Sequence, residues 1–357
     1  MKFVKIFAVS DIHGHYTLLK KALEEAGFEI GNDGHLLVVI GDCFDRGNEN
    51  KAVFDFLRSI DNKVIVRGNH EDFLIDIMDN GAYDGFYVRN GTDITVCQLF
   101  GDENVDSQGR IAQGCSVEDE LREFIGGMYD YFETRNYVFT HGWVPVWYNG
   151  GSVTPLDDWR ISQRKTWEHA RFLEWPKMHT GGATLKGKTV VCGHRATCLA
   201  ANFDMKRGGR DFSIYSAEGL VAIDACTVLS GQVNVFVTED VIPTRSTHKM
   251  GLIRDMFEEV KYGDKTIEMR MYDRKRKKIK VGDRIEFHNE DYPDKTVTCD
   301  VIGLYRYPDF ETLLSECDER EVGFPRLPKT AISRVMNKIY AYESFDDGVL
   351  AIKIKRN

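Results

Sequence analysis

The chain has 357 residues, with 47 Lys+Arg against 56 Asp+Glu for a formal net charge of −9, and it is 42% hydrophobic and 29% charged. That length exceeds what one hydrophobic core ordinarily serves and predicts two domains. The composition excludes a disordered or fibrous chain, and the acidic whole argues against bulk nucleic-acid binding while leaving room for a local basic patch. The most apolar stretch, Leu220 to Val237, is interrupted by Asp224, Ser230, Gln232 and Asn234. No segment therefore reads as a membrane-spanning helix. The apolar N-terminus is short and runs into Asp11, so it reads as a strand and not as an export signal. Eight cysteines without a C-x-x-C pair suit reduced thiols and a cytoplasmic location.

In chain order, short β-branched runs alternate with amphipathic stretches through the first 240 or so residues. Strands are predicted at Phe3–Val9, Leu36–Ile40, Val64–Val66, Tyr137–Thr140, Thr189–Cys192, Leu220–Ile223 and Val233–Val237. Leu18, Leu19, Ala22, Leu23 and Ala26 fall at helical spacing, with Gly27 where a helix should stop, and Asn50–Ile60 and Glu71–Asn80 also read as helices. The pattern is α/β. A polar stretch around Pro243–His248 ends it, which predicts a first domain over 1–242, a linker over 243–249 and a second domain over 250–357. Residues from Lys249 onward carry 22 Lys+Arg against 21 Asp+Glu, so the acidity belongs to the first part. Strands at Lys280–Phe287, Val297–Leu304 and Val349–Ile354, with helices at Asp309–Leu314 and Ala331–Tyr340, predict a small α+β barrel.

Five polar clusters follow strand-like runs, where sites assemble in α/β sheets. They are Asp11-Ile-His13-Gly14-His15, Gly41-Asp42-Cys43-Phe44-Asp45-Arg46-Gly47, Arg67-Gly68-Asn69-His70-Glu71, His141-Gly142 and Gly193-His194-Arg195. Asp11 and His13 are two apart and face the same way on an extended segment. The set offers oxygen and nitrogen ligands without thiolate, which suits Mn, Fe or Zn better than Mg. Six ligands exceed the needs of one tetrahedral ion and predict two, with Asp42 able to bridge ions roughly 3.5–4 Å apart. For any one of these residues a turn-capping role is the simpler explanation; the ordered set points to metal.

Asp11-x-His13-Gly14, Gly41-Asp42-x-x-Asp45-Arg46-Gly47 and Gly68-Asn69-His70-Glu71, followed by His141-Gly142 and Gly193-His194, resemble the phosphoprotein phosphatase family of calcineurin-like metallophosphoesterases, in its compact bacterial and phage form. The resemblance covers about residues 1–240. It implies a four-layer α/β/β/α sandwich, with Asp11, His13 and Asp42 on one ion and Asp42, Asn69, His141 and His194 on the other. It also implies that Arg46 and Asn69 bind phosphate, that His70 is the general acid oriented by Asp45, and that dimetal-activated hydroxide attacks phosphorus in line. Arg171 is the expected second phosphate arginine, with Arg160 and Arg164 as competitors, while Arg67 buttresses its turn. Where the family has Ile-Asp-Thr-Gly, this chain has Ile223-Asp224-Ala225-Cys226. The insert Gly81–Gly127 and the stretch Asp157–Thr184 match the family poorly and are expected to shape substrate access. Cys43 reads as a structural thiol, and Trp143 and Trp147 as aromatics that stack substrate or pack over the site mouth.

In the tail, Gly263-x-Lys265-x-x-Glu268-x-Arg270, Lys280–Phe287 and Tyr305-Arg-Tyr-Pro308 resemble the ASCH domain, a relative of the PUA-type β-barrel. This implies RNA or a nucleotide as a partner for Lys265, Glu268 and Arg270; a surface ion network is the plainer alternative. The run Arg274, Lys275, Arg276, Lys277, Lys278, with Lys280, suits phosphates or a solvated hairpin tip. The expectation is a serine/threonine phosphatase-like phosphomonoesterase with two divalent ions, Mn foremost, acting on a phosphorylated protein, with no membrane partner. The alternatives are a nucleotidic hydrolase acting on dinucleoside polyphosphates or RNA-terminal phosphates, and an RNA-binding regulator with a vestigial site.

Overall fold

The computed structural model describes residues 2–81, 83–112 and 114–357. It divides into two compact units, one running to Leu156 and resuming over Glu168–Pro243, the other formed by Asp157–Trp167 with Thr244–Asn357.

The first unit opens with β1 (Lys2–Val9), α1 (Tyr16–Glu25), β2 (His35–Ile40), α2 (Asn50–Ser59), β3 (Lys63–Val66) and α3 (Asn69–Asn80). The helices α4 (Gly85–Asn90), α5 (Thr92–Phe100) and α6 (Ser116–Gly126) follow, then β4 (Phe132–Glu133), β5 (Tyr137–Phe139), β6 (Val146–Asn149) and β7 (Ser152–Pro155). After α7 (Arg164–Ala170) come α8 (Trp175–Thr180), β8 (Thr189–Cys192), β9 (Tyr215–Ala217), β10 (Leu220–Ala222), α9 (Thr227–Ser230) and β11 (Phe236–Ile242). One large sheet has the order β11-β1-β2-β3 and a second β4-β5-β8-β10-β9, while β6 and β7 pair as a separate antiparallel ribbon. β1, β2 and β3 run parallel, as do β5, β8 and β10.

Alternation along the strands builds two layers of core. Ile6, Ala8, Val38 and Ile40 on one face of the first sheet pack against Phe139, Val191, Val221 and Ile223 of the second. Phe7, Val9, Leu37 and Val39 on the opposite face pack on Leu19, Leu23, Phe54, Leu57, Leu74 and Ile77 from α1, α2 and α3. Both faces of β2 are therefore buried, which is why it reads as an unbroken apolar run. Val138, Val190 and Cys192, on the outer face of the second sheet, are fully buried as well. Six parallel strands thus end at one edge of this sandwich, three from each sheet. The strand expected over Val233–Val237 begins only at Phe236. Asn234 donates through Nδ2 to Phe212 O at 2.7 Å and Ile223 O at 3.2 Å, which draws that segment out of the ladder.

The second unit contains β12 (Thr247–Leu252), α10 (Arg254–Tyr262), β13 (Ile267–Met271), β14 (Arg284–Asn289), β15 (Thr296–Tyr307), α11 (Phe310–Glu316), α12 (Lys329–Ile339) and β16 (Val349–Arg356). Phe257 and Val260 of α10 pack with Ile285, Phe287, Val301, Leu304 and Ile352. The sheet order is β12-β14-β15-β16-β13, so the backbone ladder does not close into the expected barrel. β12 and β13 are the edges, and Arg270 on β13 reaches Gly251 O on β12 with Nη2 at 2.9 Å. The predicted linker also differs, because β12 starts inside it and pairs with β14 from Thr247.

A single cut after residue 242 misses a second crossing of the chain. The segment Asp157–Trp167 belongs to the second unit. There Ile161 packs on the core, Arg164 donates through Nη1 to both Glu321 carboxylate oxygens at 3.1 and 2.9 Å, and Arg306 pairs with Asp158 at 3.4 Å. The eight cysteines are free. No described helix is long and apolar enough to cross a membrane.

Candidate active site

The carboxyl ends of the six parallel strands deliver one polar cluster each: Asp11 and His13 after β1, Asp42 after β2, Asn69 and His70 after β3, His141 after β5, His194 after β8 and Asp224 after β10. All are buried apart from the partly exposed His194. The turns that hold them are tight. The non-glycine residues with positive φ among the described residues are Asp11, His13, Asp42, Asp45, Arg46, His194 and Cys226, at +47° to +72°. Every one lies in these clusters, and such conformations cost about 1–3 kcal/mol each.

Two groups of ligand atoms lie within 4.8 Å of one another, His13 with Asp42 and His70, and Asp42 with His141 and His194. Asp42 belongs to both. Its Oδ2 is 3.8 Å from the Nε2 atoms of His13 and His70, and its Oδ1 is 3.2 Å from Nε2 of His141. Asp11 Oδ1 stands 4.0 Å from His13 Nε2, and Asn69 Oδ1 is 3.0 Å from His141 Nε2. His13 Nδ1 lies 2.9 Å from Phe44 O and His141 Nδ1 2.8 Å from Ile40 O. A carbonyl only accepts, so these Nδ1 atoms carry hydrogen, and these bonds turn both Nε2 atoms toward the centre, the orientation a metal-binding imidazole needs.

The donor set fits cations. Asp11, Asp42 and Asp224 are at least 93% buried, and among the described residues none is ion-paired with a lysine or arginine. An uncompensated buried carboxylate costs several kcal/mol. Burial and the Asp224 charge push the Asp11 carboxyl well above the usual range, and burial pushes Asp224 up to about 6. Burial also favours protonated Asp42, but the surrounding imidazoles, His141 first, hold it well below the usual range. Burial and neighbouring imidazoles keep His13 well below its ordinary value and His194 at about 3, so both are neutral near pH 7 with a lone pair open to a cation.

Glycines make the close approach possible. A Cβ on Gly193 would lie 2.2 Å from Asp11 Oδ2, and one on Gly68 2.3 Å from Asp42 Oδ1. Those oxygens instead accept from His194 N at 3.0 Å and His70 N at 3.1 Å. Glu71 closes α3 onto the second cluster, its buried carboxylate accepting from Asp42 N, Cys43 N and Gly68 N at 2.8–3.0 Å. Glu71, at the third position of α3, thus caps the amide of Gly68, the one half of a capping box that a glycine at the N-cap permits.

Beside the ligands, His70 Nδ1 is 2.7 Å from Asp45 Oδ2. Arg46 directs Nη1 to His13 Nε2 at 2.8 Å and Nη2 to His70 Nε2 at 3.1 Å. Asp45 is held by two hydroxyls that the sequence reading missed, Thr92 Oγ1 at 2.8 Å and Thr95 Oγ1 at 2.7 Å. Both sit on α5 in the poorly matched insert, where a Cβ on Gly91 would lie 2.6 Å from Arg46 N. The insert is thus part of the support for Asp45, not only a rim.

Arg171 is a correction. Its Nη1 donates to both Asp72 oxygens at 2.9 and 2.8 Å and its Nη2 to Asp130 at 2.7 Å, in a buried cluster that also takes Arg67 onto Asp72 at 2.7 Å. A guanidinium committed to two carboxylates is not available to phosphate. Of its competitors, Arg164 pairs with Glu321 and Arg160 lies over Trp159 at 4.2 Å, both in the second unit. Trp143 is buried in the core, Trp147 is exposed, and the buried Cys43 thiol is pushed well up by burial and Glu71, as a structural thiol should be.

The family model described as calcineurin-like phosphoesterase matches residues 4–203. The chain belongs to this family. It is 39% identical over 71 residues to serine/threonine-protein phosphatase 1 of Salmonella typhimurium, covering 20% of this chain and 32% of that protein. It is 33% identical over 78 residues to the symmetrical bis(5'-nucleosyl)-tetraphosphatase of Aromatoleum aromaticum, covering 22% of this chain and 28% of that protein. These matches span about a third of the relatives' length. A solved structure titled as a putative diadenosine tetraphosphatase is 14% identical, with a TM-score of 0.40 over 68% of this chain and 95% of that one. Members of this phosphoesterase family work with two metal ions, and the two groups sharing Asp42 supply candidate positions for them.

In the second unit of the phosphoesterase, Lys265 and Glu268 are 4% exposed and form a buried pair at 3.2 Å, not the surface network considered from sequence. Lys265 Nζ also donates to Ile267 O at 2.7 Å and Val322 O at 2.8 Å, which uses all three donors. Arg270 Nε pairs with Glu268 at 2.7 Å. Arg276 is held by Asp273 at 2.6 Å and Lys277 by Asp347 at 2.8 Å, while Arg274, Lys275 and Lys278 are exposed. A cleft of about 580 Å³ is lined by Arg270, Lys275, Arg276 and Lys278, with His248, Lys249 and Glu290 among its other walls.

Two outcomes follow from the site. Burial disfavours a charged His141, but the Asp42 carboxylate outweighs it and holds this imidazole up at about 10, so a metal must displace its proton. Mn²⁺ affinity should therefore rise with pH below about 10, and titration calorimetry at pH 8 in two buffers should show net proton release on binding; no release would contradict the assignment. Thr95→Val removes a donor to Asp45 and should lower kcat on an aryl phosphate about tenfold, roughly one lost hydrogen bond to a charged group, with Mn²⁺ affinity retained. An unchanged kcat would remove Thr95 from the support of His70.

Proposed function

We propose that this phosphoesterase is a dimetal phosphomonoesterase of the phosphoprotein phosphatase type. The single observation that carries the reading is Asp42 shared by two groups of candidate ligand atoms, with His70 of the first group held by Asp45 and reached by Arg46. Asp11, His13 and Asp42 hold one ion and Asp42, Asn69, His141 and His194 the other, with Mn the preferred metal and Fe or Zn compatible with the same donors. Bound there, the ions supply Lewis-acid activation of water and neutralise charge on the phosphoryl group. Arg46 presents a guanidinium fork to the phosphoryl oxygens, assisted by the Asn69 amide. Asp45 fixes the His70 ring through Nδ1 at 2.7 Å and leaves Nε2 facing the centre, the atom from which His70 would protonate the leaving oxygen. Phosphoserine and phosphothreonine esters are the leading substrates, supported by the similarity to a serine/threonine-protein phosphatase.

A second reading, nucleotidic substrates, is favoured by the similarity to a symmetrical bis(5'-nucleosyl)-tetraphosphatase and by the basic cleft of the second unit, whose charge suits a phosphate-bearing ligand such as RNA or a nucleotide. The complete ligand set counts against a vestigial site.

With Mn²⁺ the protein should hydrolyse a generic aryl phosphate, and His70→Asn should lower kcat by about 10²–10⁴-fold while leaving metal binding in place. A panel of phosphopeptide, dinucleoside tetraphosphate and end-phosphorylated RNA separates the two readings. A preference of about tenfold or more in kcat/KM, near 1.4 kcal/mol, decides between them. Full activity of His70→Asn would sink the acid assignment.

A further inference from the structure

Beside the polar centre stands a set of aromatic rings that the mechanism above does not use. Phe73 follows His70 by one helical turn, and its ring centroid is 4.9 Å from the imidazole. Phe86, from α4, packs edge-on against Phe73 at 5.0 Å, and Phe172, from the loop after α7, lies 6.5 Å from Phe73 and 6.2 Å from His194. Tyr87 backs the group 6.2 Å from Phe73, with its hydroxyl bonded to Asp76. The rings thus run from the His70 side of the centre to the His194 side. Phe86 and Phe172 remain 43% and 47% exposed. Two segments far apart in sequence bring wet phenylalanines to one place beside the ligand cluster.

We infer that this wall is the leaving-group subsite and that it selects esters whose scissile oxygen is attached directly to an aromatic ring, the aryl phosphate or phosphotyrosine class. The inference rests on the phosphomonoesterase reading and on His70 as the acid, and it puts aryl esters ahead of the phosphoserine and phosphothreonine esters named above as the preferred substrates of that site. A leaving oxygen in reach of His70 Nε2 puts its first substituent against Phe73 and the next against Phe86 and Phe172. A planar ring there covers both exposed faces and takes up edge-to-face or offset contacts. A seryl methylene leaves them in water. A nucleoside sets a ribose and its hydroxyls against Phe73 before any base can reach the other rings, which places polar groups on an apolar wall. In the reaction the bond from phosphorus to the aryl oxygen breaks, a bond from phosphorus to a water oxygen forms, and the His70 proton passes to the phenolic oxygen, giving a phenol and inorganic phosphate.

The test uses the Mn²⁺-loaded full chain with phenyl phosphate, hexafluoroisopropyl phosphate as an aliphatic ester of similar leaving-group acidity, and adenosine 5'-monophosphate. The ratio of kcat/KM for phenyl over fluoroalkyl ester should favour phenyl, and it should fall about tenfold in Phe172→Ala and in Phe86→Ala, both of which alter exposed side chains. Ratios that stay constant in both variants would overturn the proposal, as would a larger loss for the nucleotide than for phenyl phosphate. If no ester is turned over, it is the phosphomonoesterase reading that fails, and the subsite is then decided by calorimetry. Phenylphosphonate should bind more tightly than methylphosphonate, with the difference lost in Phe172→Ala; equal binding would overturn it.

Discussion

The structure is organised around buried carboxylates that no lysine or arginine pairs with among the described residues. These carboxylates, Asp11, Asp42 and Asp224, lie at the carboxyl ends of strands from two sheets that pack face to face. Desolvating such groups costs several kcal/mol each unless something positive is near. His13 and His194 are neutral and cannot supply that charge, and His141 offsets Asp42 alone, whereas divalent ions can answer all three carboxylates. The arrangement is expensive for the fold and sensible for a dimetal site.

The same economy explains the backbone. The positive-φ residues outside glycine all fall in the site clusters, where each is a local strain that only a rigid surround can hold. That surround is the double core: one sheet face against the second sheet, the other against α1, α2 and α3. Glu71 ties the start of α3 to the second cluster, and Gly68 and Gly193 leave room for carboxylate oxygens at backbone distance. Stability elsewhere in the domain is what keeps the ligands preorganised.

Much of this was legible in the sequence. Strand positions followed from β-branched runs, and the meeting of the polar clusters followed from short motifs placed after them, because a motif at a strand end carries its own geometry. What escaped were relations between distant residues. The hydroxyls of Thr92 and Thr95 reach Asp45 from an insert 47 and 50 residues away, on a helix with no motif to mark them. Arg171 looked available for phosphate because its partners Asp72 and Asp130 lie 99 and 41 residues off. The docking of Asp157–Trp167 into the second unit was hidden for the same reason, since Arg164 meets Glu321 only 157 residues later. Lys265 and Glu268 were recognised as a motif, but their burial as a saturated pair depends on Val322 O from a separate loop.

The central claim is that one carboxylate serves two ions. Titration calorimetry with Mn²⁺ tests it most directly, comparing the unaltered protein with Asp42→Asn. The account predicts two ions per chain for the former and the loss of tight binding at both positions in the variant, because its two groups share Asp42. Retention of one ion at unaltered affinity in Asp42→Asn would contradict it.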